Sequence, residues 1–571
     1  MKRIYISAVI AILLSVAPAK AQDDVNYDFG GTVQNNDVVS WLDLYDFSFT
    51  SHNFGTARSM AMGNAFTALG ADMVSASLNP AGIGMYVGGD FSFTPMIGVS
   101  KSKTMGGDPY YSSGDYEYFD DHTTRMAVPS FGVVFSLSKS TGNFTNINFG
   151  FSYNRIADFN QDRLMASYDN DAVNSVANYF RNFADIDGLQ TDSSGKMDFG
   201  DDPYYWGPVL AYKSGLINKY DDGWFIDRIG ANALVDQYSA TQTRGSLGEW
   251  AFTVGFNIVD RLYLGVSLGI QSLNYKHNTY YGENYHYADD APAVDGAGVP
   301  LDYQLHNVGY MQNTTISGSG HNFKLGLTAR PFDWLRVGVA YHTPTYYSLD
   351  FTYMSDMNSD MQRVGDDPEG LGVPPGGFDY NEVYSPILED YGSNAWEFRS
   401  PSRLLAGVAV TLGRRAILSA DFERSWYQTI RLQDSPLGDE LSVIYKQNYK
   451  SVFKGSNTLR LGGEFYLLPA VALRAGYIWS GKTLRSDYEH AIFSRPIPTE
   501  QSFLTAGIGL HLSKTTTLDF AYQYGTTHYT SEQLFYITET VDDVTEEIFG
   551  SELFTTKTTR HNAVLTLSFR F

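Results

Sequence analysis

At 571 residues with a formal net charge of -23 and a pI near 4.8, the chain would repel nucleic-acid phosphates, and its lack of cysteine excludes a disulfide framework and thiolate chemistry. Stability must then come from hydrogen bonding and packing. Tyr (41), Phe (36) and Gly (54) are abundant, and after the first residues no apolar run is long enough for a membrane helix, so any passage through a membrane must be made by strands.

In chain order, residues 1–21 read as a secretory signal peptide, with basic Lys2 and Arg3, an apolar run over 4–16 and the small-residue cleavage site Ala19-Lys20-Ala21. An acidic and aromatic leader, residues 22–52, follows, and its sequence assigns it no role. The stretch 53–82 is different in character. It is small, apolar and Gly/Ala-rich, carrying Gly55, Arg58, Gly63 and Asp72 and ending in Asn79-Pro80-Ala81-Gly82. Such a composition suits short helices and close turns in a confined space. Pro80 fixes its own φ and biases Asn79 to an extended conformation, while the Asn79 side chain can hold a turn. Arg58 and Asp72 read either as a buried ion pair anchoring this segment or as a solvated one.

From about Gly88 onward, apolar and polar-or-small residues alternate with the two-residue period of a strand. Leu262, Leu264, Val266, Leu268 and Ile270 oppose Tyr263, Gly265, Ser267 and Gly269; Leu418, Ala420 and Phe422 oppose Ser419, Asp421 and Glu423. The spacing predicts strands beginning near 89, 124, 144, 245, 261, 309, 334, 395, 415, 456, 470, 500, 516 and 557. Short turns near 139–143, 259–260, 331–333, 413–414, 468–469 and 514–515 alternate with seven long connections, as in transmembrane barrels. The second long connection, 160–244, carries Val173, Val176, Ala177, Phe180, Phe183 and Ala184 at helical spacing, on a helix starting near 169–171. That stripe reads either as loop packing or as a greasy external capture groove. The last strand is apolar at every odd position from Ala563 to Phe571, similar to the C-terminal signal recognised by the barrel assembly machinery.

The run from Gly55 through Asn79-Pro80-Ala81, ahead of about fourteen strands, resembles the N-terminal hatch of the FadL/TodX family of outer-membrane transporters for hydrophobic compounds. The resemblance implies an all-β transmembrane protein: an antiparallel outer-membrane barrel of about 14 strands with a small N-terminal plug inside the lumen. It divides the chain into a signal peptide (1–21), a leader and plug (22–87) and a barrel with long extracellular loops (88–571). It places Asn79, Pro80 and Ala81 in the plug motif, with Gly55, Arg58, Gly63 and Asp72 as supporting positions. A kinked third strand opens a lateral exit in that family, and Gly150, in the third strand of this chain, is the candidate kink. Val173, Val176, Phe180 and Phe183 become the candidate external capture groove.

The expected function is passive uptake of hydrophobic compounds, such as long-chain fatty acids or aromatic hydrocarbons, by external capture, binding in an apolar pocket and plug-gated diffusion. A surface adhesin or scaffold barrel with partner-binding loops is the alternative. Expected partners are the hydrophobic ligand and outer-membrane lipid, with no nucleic acid; a monomer is expected, located in the bacterial outer membrane as a multi-pass protein. No enzyme, cofactor or metal is expected. Gly476 to Thr483 has the spelling of a phosphate-binding loop and Gly265 to Gly269 that of a nucleophile elbow, but both fall along strands. The acidic clusters Asp185, Asp187, Asp192 and Asp366, Asp367, Glu369 read as solvated loop ends more readily than as calcium sites.

Overall fold

The computed structural model describes residues 25–33, 39–49, 53–106, 118–141, 144–193, 195–219, 223–288, 293–294, 298–367, 370–390, 395–489, 491–493, 495–541 and 544–571. The signal-peptide reading and Glu369 lie outside these residues.

Fourteen antiparallel passes close into a barrel. The first is Asp90–Gly106, the second Tyr118–Thr141, and the third Phe144–Asp158 continued by Gln161–Asp171. Leu234–Ile258, Leu262–His286 and Tyr303–Phe332 are the fourth to sixth, and Leu335–His342 with Tyr346–Arg363 make the seventh. The eighth is assembled from Phe378–Tyr384, Leu388–Asp390, Trp396–Arg399 and Arg403–Leu412, and the ninth from Ala416–Ser425 and Arg431–Asp434. The tenth to fourteenth are Ser456–Leu468, Val471–Ser480, Pro498–His511, Thr516–Gln533 and Leu553–Arg570. Asp90 pairs with Arg570 and Phe91 with Phe569, so the first strand closes on the last. Closure of the first strand on the last pairs backbone groups that would each cost several kcal/mol if left unpaired against lipid.

The two-residue period has a physical outcome. Leu418 and Phe422 are half exposed on the outer face, while the alternating Ser419, Asp421 and Glu423 are buried inside. The same belt continues around the wall through Phe93, Phe252, Leu325 and Leu565, all outward and exposed. Such an apolar belt over a polar interior is what a lipid-embedded barrel requires.

Several strands run on well beyond the roughly ten residues a tilted transmembrane strand needs. The sixth has 30 residues, and the fourth and fifth have 25 each. The connection expected over 160–244 is therefore shorter: residues 161–171 pair with the start of the fourth strand, from Gln161↔Thr243 to Asp171↔Leu234. What remains folds as helices Val176–Ile186 and Trp206–Lys213 and a two-stranded ribbon. The first of these helices is capped by Ser175, whose side chain accepts from the Asn178 N–H, later in the chain than expected.

The leader takes an unexpected course. Its strand Val25–Gly30 pairs antiparallel with Tyr536–Val541, within the long connection between the thirteenth and fourteenth strands. Its helix Trp41–Ser48 lies lower in the lumen, and the plug segment 53–86 lies toward the short-turn end. There the Gly89 N–H donates to the Phe571 carbonyl at 2.8 Å. The N-terminal region thus descends through the whole barrel before the first strand begins.

An arginine substituted for outward-facing Leu418 is expected to destabilise the folded barrel by about 2–4 kcal/mol if this position sits near the bilayer midplane. Reversible urea unfolding in lipid vesicles measures it, and a neutral result would place Leu418 outside the lipid belt.

Candidate functional site: the plug, the broken ladder and the filled lumen

The plug is a series of capped short turns. Thr56 accepts from the Ser59 N–H to start the helix Ala57–Ala61, and its hydroxyl donates to the Asp72 carboxylate at 2.8 and 3.0 Å. Asp72 also accepts from the Val74 N–H at 3.1 Å. Burial raises the Asp72 pKa, and Arg58 only partly offsets this. Asn79 is extended, with φ -138° and ψ 103°, as the following Pro80 demands, and Pro80 opens the 3-10 turn Pro80–Met85. The Asn79 oxygen accepts from the Ala81 N–H at 3.1 Å, and its nitrogen donates to the Thr67 carbonyl at 2.5 Å and to Thr328 Oγ1, on the sixth strand, at 3.1 Å.

The expected Arg58–Asp72 ion pair is corrected. Arg58 Nε instead reaches Glu464 Oε2, on the tenth strand, at 3.1 Å, because Asp72 is already occupied by hydroxyl and backbone donors. Burial opposes the Arg58 charge, but the Glu464 carboxylate outweighs it and holds the Arg58 pKa above the ordinary value. Around the wall, Asp421 accepts from the Thr67 N–H at 2.7 Å, Thr566 from the Ala57 N–H at 2.7 Å, and Asn148 donates to the Ile83 carbonyl at 2.7 Å. The third, sixth, ninth, tenth and fourteenth strands are among those bonded to the plug, through Asn148, Thr328, Asp421, Glu464 and Thr566, as is the seventh, where Arg336 donates to the Leu69 carbonyl at 2.7 Å.

Inward glycines make that approach feasible. A Cβ on Gly265, Gly326, Gly338 or Gly476 would fall 2.0–2.2 Å from atoms of Pro80, Asn79, Thr67 or Gly63, respectively. These strand glycines are sockets for plug backbone, a role that residue spacing alone left unassigned. Gly63 itself has φ +58° and sits against the Leu461 and Tyr477 backbones, so both demands favour glycine there. Gly55 lies against Ser59 and Val74 inside the plug.

The candidate kink at Gly150 is also corrected. Gly150 stands in unbroken register, opposite Val134 on one side and Thr253 on the other. The irregularity comes higher up. The ladder between second and third strands ends at Ser130↔Asn154, although the second strand stays paired with the first as far as Tyr118↔Met105. Pro129 stands at this break and has no N–H to donate. The third strand bulges between Arg155 and Ala157, breaks at 159–160, and then turns inward behind its neighbours. Gln161 Nε2 reaches Thr558 Oγ1 at 2.8 Å, and Arg163 pairs with Glu532, on the fourteenth and thirteenth strands. The glycine that permits this is Gly245 on the fourth strand, with φ +128°; a Cβ there would lie 2.0 Å from the Asn274 carbonyl oxygen. Its own carbonyl accepts the Phe159 N–H at 3.1 Å. Asp158 bridges the unzipped edges, meeting Arg125 of the second strand at 2.7 Å and Arg155 at 2.6 Å. Behind this seam lies a cavity of about 110 Å³ lined by Phe49, Phe54, Ile156 and Phe159 and by Gln161, Arg163 and Arg560.

Above the plug the lumen is filled by the leader helix. Trp41, Leu44, Tyr45, Phe47 and Phe49 are all buried. Tyr45 stacks on Phe453 with ring centroids 4.2 Å apart, and its hydroxyl bonds Thr483 Oγ1 at 2.7 Å. Arg495 holds Asp43 at 2.6 Å and Asp46 at 3.0 Å. Burial pushes the Asp46 carboxyl up to about 7 although Arg495 pulls it down.

The helical stripe is not an open groove. Val176, Phe180 and Phe183 have no exposed surface and pack in one cluster with Phe29, Tyr310 and Phe535, whereas Val173 precedes the helix and is 63% exposed. The leader strand and the thirteenth-to-fourteenth connection supply the covering that the local sequence could not reveal. Among the described residues no group of three His, Asp or Glu side chains is placed to hold a metal. In the first acidic cluster Asp185 accepts from the Phe225 N–H and Asp192 from the Lys196 N–H, both at 2.9 Å. In the second, Asp367 accepts from the Leu371 and Gly372 N–H groups at 3.0 and 2.8 Å.

No protein-family model and no curated protein sequence matches the chain. Among solved structures it is similar to the toluene transporter TodX of Pseudomonas putida, at 12% identity and a TM-score of 0.44, covering 90% of this chain and 98% of that one. It is also similar to the monoaromatic hydrocarbon channel CymD (12% identity, TM-score 0.44, covering 91% and 99%) and to a Pseudomonas aeruginosa FadL homologue (12%, 0.45, covering 91% and 98%). At these identities and TM-scores the functional reading rests on the chain's own geometry.

Replacing Asn79 by Ala strands the Thr67 carbonyl and the Ala81 N–H and is expected to loosen the plug by about 2–3 kcal/mol without unfolding the barrel. Native-state hydrogen exchange reads this as lost protection confined to 53–86; unchanged exchange there would remove Asn79 from the plug's support.

Proposed function

We propose that this chain is a multi-pass barrel of the bacterial outer membrane that takes up small hydrophobic compounds, long-chain fatty acids or aromatic hydrocarbons, by passive diffusion. One observation carries the reading: the axial route is closed by a plug bonded to the wall, while the wall is unzipped beside a cavity. A compound captured at the long-connection face would reach the mixed apolar and polar cavity behind the seam and leave sideways between the second and third strands into lipid. The lateral exit is therefore assigned to 154–161 and Gly245 rather than to Gly150. Burial of hydrocarbon, worth roughly 0.8 kcal/mol per methylene, supplies the drive, and no energy source is needed. The Asn79-Pro80-Ala81 turn, with Gly55, Arg58, Gly63 and Asp72, holds the plug whose shift gates the path.

Uptake of radiolabelled palmitate and of toluene by cells producing the chain tests this, alongside planar-bilayer conductance of the purified barrel. Uptake well above that of non-producing cells is expected for at least one compound, without large steady conductance. Gly245→Val, which removes the kink, should lower that uptake by an order of magnitude with the barrel still folded. A wide, permanently conducting pore, or uptake indifferent to Gly245→Val, would overturn the proposal.

A further inference from the structure

The outer face of the first, second, thirteenth and fourteenth strands changes character over two rows. Ile97, Tyr522 and Leu565 belong to the outward apolar and aromatic belt. In the next row up, Val99 stands opposite His561 and His561 opposite Tyr524, and the Tyr522 hydroxyl bonds His561 Nδ1 at 2.7 Å. Tyrosines in such a belt mark the boundary between hydrocarbon and water. The following two outward positions on the first strand are Lys101 and Lys103, both exposed. At about 3.3 Å per residue they lie roughly 7 and 13 Å beyond Val99 along the strand, where lipid head groups begin and end.

Like charges meet there. Lys103 stands directly opposite Lys557 of the fourteenth strand, Lys557 opposite His528 of the thirteenth, and Lys101 opposite His122 of the second. Directly opposed residues have Cβ atoms about 4.5–5.5 Å apart, and like charges at that separation are destabilising. Nearby acidic groups do not relieve them. Among the described residues none of the three lysines has an ion-pair partner, and the Lys103 nitrogen sits 3.9 Å from the centre of the Tyr118 ring. Glu500, opposite His528, accepts from Trp479 Nε1 at 2.6 Å, and Asp121 accepts from the His122 N–H at 2.6 Å. Asp120, across from Lys103, is exposed and beyond ion-pair distance. A cationic row left unneutralised at this height, in a chain of net charge -23, calls for an anion from outside.

We propose that Lys101, Lys103 and Lys557 form a site on the outside of the barrel for the phosphate of an acylated glycolipid of the surrounding leaflet. A phosphate between Lys103 and Lys557 accepts from both ammonium groups and turns their repulsion into two charge-assisted hydrogen bonds. Position selects the glycolipid over a phospholipid. Head groups of ordinary phospholipids add only about 5–8 Å to each side of the hydrocarbon, whereas the lysines span a greater depth, which a sugar head group fills. Thr559 and Thr526 share the outward row of Lys101 and offer hydroxyls to such a sugar. The acyl chains would descend along Ile97, Ala563 and Met126, which is 82% exposed. Met126 lies on the part of the second strand that has left its ladder with the third, so the bound lipid flanks the seam.

The full chain, purified in detergent with a chelator to strip divalent cations, is titrated with bis-phosphorylated lipid A, and retained lipid is counted by native mass spectrometry. The unsubstituted chain should hold this lipid, and K101A/K103A/K557A should bind it about tenfold or more weakly. Lipid A with both phosphates removed should bind the unsubstituted chain as weakly as the intact lipid binds the triple variant, an arm that needs no substitution to fold. K446A/K450A, which removes two exposed lysines from the helix Asp439–Val452, should bind like the unsubstituted chain. Undiminished binding by the triple variant, or of the dephosphorylated lipid, overturns the proposal. An equal loss in K446A/K450A assigns the attraction to overall charge, and phosphatidylglycerol bound as tightly as lipid A assigns it to any anionic head group; either result also overturns the site.

Discussion

A backbone enclosed in a barrel wall must find a partner for every N–H and C=O that water cannot reach. The strands meet this demand by closing on themselves, but the plug is no strand and has no ladder to join. Its groups are paired instead by its own caps, at Thr56 and Asn79, and by wall side chains such as Asp421, Thr566 and Asn148. The polar inner face of the strands is thus the plug's hydrogen-bonding complement, and its glycines are the hollows that let backbone meet backbone. Polar residue and glycine must alternate at one height on several strands, a requirement stronger than that of a water-filled lumen.

Charge follows the same logic. Arg58, Glu464, Arg474 and Asp519 form one chain of pairs from plug to wall, with Arg474 meeting Glu464 and Asp519 at 2.6 Å each. Elsewhere Lys324 pairs with Glu249, and Glu423 with Arg460 and Arg403. Taking one member away leaves a buried charge unpaired, which is costly even where the intact pair contributes little to stability. These pairs fix where the plug sits more than how stable the barrel is. They also neutralise these charges locally in a chain of strongly negative net charge.

The wall was legible because lipid on one side and polar groups on the other impose a period of two, and strand starts such as 144, 456 and 516 coincide with those observed. Above the lipid that asymmetry fades. Residues 234–243 still alternate buried and exposed, but their buried side includes Gln237, Ser239 and Thr241, so hydrophobicity did not alternate and the segment read as loop. The leader helix was too short for a helical period to register, and its partners lie some 400 residues away, as with Tyr45 and Thr483. Pro129 inside a strand was the one local sign of the broken ladder. Gly245 was lost among many glycines, because nothing in spacing separates a glycine needed for φ from one needed as a socket. The Arg58 partner was misread for the same reason: proximity in sequence favoured Asp72, while the fold had already given Asp72 to Thr56.

The course of the leader ties filling of the lumen to closure of the wall. Its strand is bonded to the connection before the fourteenth strand and its helical segment to residues around 403, 445 and 495, and beyond the plug Gly89 is bonded to Phe571. Each contact joins segments far apart in sequence, and loop-closure entropy makes such contacts late and mutually dependent in folding. Drawing Trp41, Tyr45 and Phe47 through a lumen already narrowed by the plug would require breaking the pairs that seat it. Closing the first strand onto the fourteenth around a leader already in place requires none of that. The leader is therefore best regarded as part of the core around which the barrel closes, while the third strand leaves its ladder with the second beyond Asn154.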